Sequence, residues 1–254
     1  IYLQADRVIL PLYVSQTQVG LYGAAYRVLD IVIQVAAIVM GLLMPLITYS
    51  WSRGMRDKFT ERYQIGVDLI AFLLFPMIVG IYVLANPLMQ LIGGPSFAGG
   101  GIMLKWLSIS ILGTSFGMTF GHIVLAINRQ KEALVVYGSD ALLSLIGYLI
   151  FIPRFGWMGA VGVTIFSEIY AGIFLTIVSV KYSQVFPKLQ TILKILLSSL
   201  GMGIFLSVLH LSLFPSILVG IIVYGALNFV LGIPRPETLK QIFSLTKFVE
   251  EEAI

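Results

Sequence analysis

Six ionisable side chains lie inside stretches that are otherwise apolar: Asp6, Arg7, Arg27, Asp30, Asp140 and Glu168. A charge in hydrocarbon is expensive, so such residues face a bundle interior or a water-filled path and mark where ions or charged substrates pass. Arg7 and Arg27 each present a planar guanidinium fork that fits phosphate oxygens two at a time. Asp6 and Asp30 supply carboxylates that neutralise those forks or carry a cation or proton. Tyr22, Tyr26 and Gln34 lie on or near the same helix flank as Arg27 and Asp30. The competing structural reading is a self-neutralising set of ion pairs that holds two helices together. Asp140 and Glu168, near the middle of two consecutive apolar runs, suit a proton or sodium relay; the structural alternative is two protonated or hydrogen-bonded acids inside the bundle.

Other chemistry finds little support. The chain has no cysteine, which removes thiolate metal sites and cysteine nucleophiles. Its two histidines, His122 and His210, are far apart in sequence and read as polar packing or interface residues. No HExxH, P-loop or dinucleotide fingerprint occurs, so no metal and no cofactor is expected, and nothing points to nucleic acid. The short connections opposite the basic loops hold no paired acids or histidines, so no catalytic residue is assigned and an enzyme is the weaker class.

The elements that position the charges follow from hydropathy. The chain has 254 residues, 58% hydrophobic and 11% charged, with a mean hydropathy of +0.97. A soluble domain carries about 25% charge. At roughly 20 apolar residues per crossing, the expected fold is all-α: a polytopic membrane helix bundle of about eight transmembrane helices. Apolar runs place them at 1–14, 20–47, 65–92, 102–127, 133–152, 158–180, 192–211 and 216–233. Pro76 and Pro87 are kink sites in the third. Positive residues cluster in alternate connections: Arg53, Arg56, Lys58 and Arg62; Arg129 and Lys131; Lys181, Lys188 and Lys194; and Arg235, Lys240 and Lys247 in the tail. The positive-inside bias assigns these to the cytoplasm, with the C-terminus there. Trp51, Trp106 and Trp157 fall at span ends, as an aromatic belt requires. Asp68, at the cytoplasmic start of the third span, reads as solvated.

The first span is too short to cross alone, and the chain reads as the C-terminal part of a longer protein whose partner lobe is missing. The first two spans form a hairpin with its turn near Thr17. Reflection through that turn sets Arg7 level with Arg27 and Gln4 level with Asp30, about 10 to 20 Å from the outer turn. Gly113, Gly117 and Gly121 make overlapping GxxxG units for close helix approach in the fourth span. The Gly93–Gly101 run is an external turn, and Asn228 is a hydrogen-bonding candidate in the last span.

Ala5-Asp6-Arg7-Val8-Ile9-Leu10 followed by Val19-Gly20-Leu21-Tyr22-Gly23-Ala24-Ala25-Tyr26-Arg27 resembles the seventh and eighth spans of polysaccharide and O-antigen flippases of the multidrug/oligosaccharidyl-lipid/polysaccharide superfamily. Pro45 looks like the proline near the inner end of the eighth span. Asn128-Arg129-Gln130-Lys131 and the run from Ile152-Pro153-Arg154-Phe155-Gly156-Trp157 to Glu168 are similar to later spans. The resemblance covers nearly the whole chain and implies the C-terminal half of a carrier of about fourteen helices, two six-helix lobes plus two more. Residues 1–180 would form the lobe, 190–233 the two additional helices and 234–254 a cytoplasmic tail. The implied function is movement of an isoprenoid-diphosphate-linked oligosaccharide across the cytoplasmic (inner) membrane by alternating access. Asp6, Arg7, Tyr26, Arg27, Asp30 and Gln34 would bind substrate in the cavity, and Asp140 and Glu168 would couple an ion. Implied partners are the lipid-linked oligosaccharide, membrane lipids, the N-terminal lobe and other polysaccharide-assembly proteins. One departure stands out: the asparagine common in the family a turn or two before Ile152-Pro153 is absent, with Asp140 and Ser144 nearby instead. The alternatives are a cation-coupled multidrug antiporter of the same superfamily and a non-transporting membrane scaffold of a polysaccharide-assembly complex.

Overall fold

The computed structural model describes residues 5–209 and 211–233, and among them every regular element is helical. Helix α1 (Ala5–Ile9) runs into a 3-10 turn at Leu10–Leu12, followed by α2 (Gln16–Ser52), α3 (Arg56–Val83), α4 (Ala85–Gly93) and a second 3-10 turn at Pro95–Gly100. Then come α5 (Gly101–Ala126), α6 (Gln130–Phe155), α7 (Trp157–Ser183), α8 (Leu189–Leu209) and α9 (Leu213–Val230). Seven of these segments, α2, α3, α5 with its preceding 3-10 turn, and α6 to α9, are long and apolar enough to cross a membrane. The chain is a multi-pass membrane helix bundle. Of the expected first span, residues 1–4 lie outside the described residues, as do His210 and the tail after Ile233.

The spans end where local chemistry requires. The Ser15 side chain accepts a hydrogen bond from the Gln18 amide and caps the N-terminus of α2. Helix α2 has 37 residues, about 55 Å, so it extends well past a hydrocarbon core of roughly 30 Å. The stretch at 65–92 is not one kinked span. It breaks at Leu84, and the short α4 follows with Pro87 in its first turn, where a missing N–H leaves no bond unmade. Pro76 stays inside α3. The turn between α6 and α7 narrows to Gly156, whose φ of +58° favours glycine, while Pro153 belongs to the last turn of α6. The expected loop at 93–101 contains the second 3-10 turn.

Helix α5 lies at the centre, packed against α7, α2 and α3; α6 packs on the far side of α7, α1 lies on α6, and α8 joins α3 with α9 beside it. Lipid tails give helices no hydrophobic reason to associate with one another, so close packing and interhelical hydrogen bonds hold such a bundle. The glycine face of α5 serves this. A Cβ on Gly113 would lie 2.4 Å from the Glu168 carbonyl carbon and 2.5 Å from the Ile169 nitrogen, and one on Gly172 would lie 2.9 Å from the Gly113 oxygen. At the end carrying the basic loops, Arg56 stacks on Trp51 and donates to the Ser183 carbonyl. Gln64 accepts from the Lys188 amide at 2.7 Å, fixing the link between α7 and α8.

Candidate functional site

Neighbours i and i+1 on a helix point about 100° apart, so Asp6 and Arg7 cannot face the same way. Asp6 turns inward. It is 1% exposed, and its Oδ2 accepts hydrogen bonds from Tyr22 Oη and Tyr26 Oη, each at 2.6 Å. Each phenol has a single hydrogen and gives it to the carboxylate. The Tyr26 oxygen also lies 3.3 Å from Thr164 Oγ1, which is 3.0 Å from Tyr148 Oη. One polar chain, Asp6–Tyr26–Thr164–Tyr148, therefore joins α1, α2, α7 and α6 within the bundle. Asp6 Oδ1 is buried without a hydrogen-bond partner among the described residues.

Arg7 turns outward. Its Nη2 contacts both Asp30 oxygens, at 3.2 and 3.3 Å, and its guanidinium sits 4.1 Å above the Tyr26 ring. The pair is open, with side chains 31% and 51% exposed. Arg27 is exposed and has no ion-pair partner among the described residues. Gln34 is exposed one turn beyond Asp30. The expected four-charge cluster is thus divided. Arg7 pairs with Asp30 instead of lying level with Arg27 in one group, Asp6 faces the opposite side, and Tyr26 is shared between the two, ring to Arg7 and hydroxyl to Asp6. The matching of Gln4 with Asp30 lies outside the described residues.

The second acidic region lies between α6 and α7. Asp140 is 1% exposed; its Oδ1 accepts from Ser167 Oγ at 2.8 Å, and its Oδ2 has no partner among the described residues. Glu168 is half-buried beside the α5 contact, within hydrogen-bonding reach of Thr114. Sequence reasoning missed Tyr148, Thr164 and Ser167. The signal was present: Asp140, Ser144 and Tyr148 follow at i, i+4 and i+8 and form a buried polar column on α6. Other polar residues serve packing. His122 Nδ1 lies 2.7 Å from the Met118 carbonyl, and Asn228 donates to the Tyr224 carbonyl. Asp68, expected to be solvated, is half-buried and accepts from Gln64 Nε2 at 2.8 Å.

The outward charges belong to a longer pattern. Gln16, Gly20, Gly23, Arg27, Asp30, Gln34, Ala37 and Gly41 are all exposed, alternately four and three residues apart, and make one stripe along α2. Its residues are polar or small. The exposed residues of α6, α8 and α9 are mostly large and apolar, among them Leu134, Leu142, Leu149, Leu197, Ile204, Ile222 and Phe229, as suits contact with lipid. Ile31, Ile38 and Leu42 give α2 a lipid-like flank beside the stripe.

Comparison with known proteins agrees with this architecture. A family model described as polysaccharide biosynthesis protein matches residues 1–99, which include α1, α2 and the stripe. The chain is 25% identical over 191 residues to the "Probable low-salt glycan biosynthesis flippase Agl15" of Haloferax volcanii, covering 72% of this chain and 40% of that protein. It is 30% identical over 119 residues to the "Succinoglycan biosynthesis transport protein ExoT" of Rhizobium meliloti, covering 46% of this chain and 23% of that one. Among solved structures, "Lipid II flippase MurJ, inward closed conformation" superposes with a TM-score of 0.79 at 19% identity, over 91% of this chain and 50% of its own. The fold is shared with that structure, and the resemblance to polysaccharide flippases drawn from residue patterns is supported. The chain spans half or less of the length of each of these relatives.

Proposed function

We propose that this chain is the C-terminal, cavity-lining part of a flippase that moves an isoprenoid-diphosphate-linked oligosaccharide across the cytoplasmic membrane by alternating access. The observation that carries the reading is the stripe on α2. An exposed guanidinium and an open ion pair within an apolar span, flanked by glycine and glutamine, are costly against lipid and favourable against a wet cavity. Arg27, without a carboxylate partner among the described residues, is the primary contact for the diphosphate. Arg7 joins it by exchanging Asp30 for a phosphate oxygen while staying stacked on Tyr26; Gln34 offers hydrogen bonds to sugar. Asp140 and Glu168 are the ion-coupling carboxylates in this reading. Residues 1–180 form the lobe, 190–233 the accessory helices, and the basic end faces the cytoplasm. Membrane lipids, an N-terminal lobe of the same protein and other polysaccharide-assembly proteins are the partners. Together with Arg7 beside it on α1, the stripe presents two cations and one anion, which favours an anionic cargo over the cationic cargo of a drug antiporter.

The test is a translocation assay on the full-length protein in liposomes, with an isoprenoid-diphosphate sugar and, separately, a cationic dye. Sugar-lipid movement should fall about tenfold or more in Arg27→Ala, the scale of one lost charge-assisted hydrogen bond. Dye movement without sugar-lipid movement would overturn the reading, and so would a parental rate in Arg27→Ala.

A further inference from the structure

Pro76 lies inside α3 and has no N–H, so the carbonyl of Phe72, one turn earlier, loses its helical donor. An unpaired carbonyl in a membrane costs several kcal/mol unless another group reaches it. The group that reaches it comes from α9: Tyr224 Oη donates to the Phe72 oxygen at 2.7 Å, and the Tyr224 and Phe72 rings lie 5.4 Å apart. Beyond the proline, α8 grips the same helix. A Cβ on Gly203 would lie 2.4 Å from Val79 Cγ1, so any larger residue there must displace the Val79 side chain or α8. The hairpin thus spans Pro76, with α9 holding the turn before it and α8 the turn after it. The hairpin is itself braced. Lys194 Nζ donates to the Leu231 carbonyl at 2.9 Å, tying α8 to the end of α9, while Asn228 donates to the Tyr224 carbonyl at 2.8 Å within α9 itself.

We propose that α3 bends at Pro76 and that the α8–α9 hairpin is a splint across that hinge, locked by the Tyr224 hydroxyl on the Phe72 carbonyl. Tyr224 is a positioning residue: it sets the angle of α3, which packs on α5 and so on the cavity-lining α2. The flippase reading supplies what the bending serves, and the splint itself is measured without any transport.

The experiment uses the full-length protein in lipid nanodiscs with spin labels at Lys58→Cys and Tyr82→Cys, exposed positions on either side of Pro76. This chain brings no cysteine of its own to compete for label. Electron–electron distances are recorded in the parent, Tyr224→Phe, Pro76→Ala and the double variant. Tyr224→Phe should broaden the distribution and raise the bent population about threefold, the scale of one interhelical hydrogen bond in a membrane. Pro76→Ala restores an N–H for the Phe72 carbonyl, so adding Tyr224→Phe should then change nothing. An unchanged distribution in Tyr224→Phe overturns the proposal. Equal broadening with and without Pro76 also overturns it, because the tyrosine would then matter only for packing. Translocation by the same proteins is measured separately, so failure of the flippase reading and failure of the splint are distinguishable.

Discussion

At the residue scale, Asp6 and Arg7 are chain neighbours with opposite tasks, and Tyr26 connects them. Its hydroxyl donates to the buried carboxylate while its ring supports the outward guanidinium. The two phenols on Asp6 are not interchangeable with apolar rings. Tyr22→Phe or Tyr26→Phe leaves one donor on Oδ2, and each should cost about 1 kcal/mol of stability. The double replacement strips Asp6 of both phenolic donors in a low-dielectric site, and its cost should exceed the sum of the two single changes. Thermal unfolding of the four proteins in detergent measures this, and strict additivity would mean that Asp6 finds other donors. That charges of the first two spans meet was legible in the sequence, because a short turn folds the two segments back on each other. Their partners were not. A reflection carries no information on rotation about the helix axis, and rotation decides that Arg7 meets Asp30 while Asp6 meets two tyrosines and Arg27 pairs with no acid among the described residues.

At the element scale, the spans were legible because hydropathy reports burial in lipid directly, and the glycine face of α5 was legible because only close approach explains small residues at that spacing. The break at Leu84 was not, since Val83, Leu84 and Ala85 are as apolar as a continuing helix; the signal lay in Asn86-Pro87, which disfavours helix before the proline. Structure also grades the glycines, which sequence treats alike. A Cβ on Gly117 would meet Gly172 at 3.6 Å, an ordinary contact, whereas one on Gly113 would collide with the α7 backbone. Gly117→Ala should therefore leave stability unchanged or slightly raised. Gly113→Val should push α5 from α7 and cost about 1–3 kcal/mol, the range for overpacking. The difference between their unfolding midpoints checks the claim, and equal midpoints would show that α7 yields easily at Glu168.

At the scale of the whole molecule, the question is what each outer face touches. The bundle exposes large apolar side chains on α6, α8 and α9, and a polar and glycine-lined stripe on α2, with an apolar flank of the same helix beside it. A carrier that opens alternately to each side wets such a stripe from one end at a time, while the flank stays in lipid throughout. Single cysteines on the cysteine-free chain discriminate the two surfaces, placed at Gly20, Gly23, Ala37 and Gly41 on the stripe and at Ile31, Ile38 and Leu142 on apolar surface. None of the four stripe positions carries a charge or a hydrogen bond that the variant would remove. A membrane-impermeant thiol reagent should label the stripe and leave the apolar set unmodified. Gly20 and Gly23 lie near the Ser15 end of α2, and Ala37 and Gly41 lie towards its Ser52 end, so the two pairs should be favoured by reagent on opposite sides of the membrane. Substrate should slow labelling at Gly23 and Ala37, the pairs' inner members, because they lie nearest to Arg27, Asp30 and Gln34. Equal labelling of Ile31 and Gly23 would place both in one environment and remove the wet cavity from the mechanism.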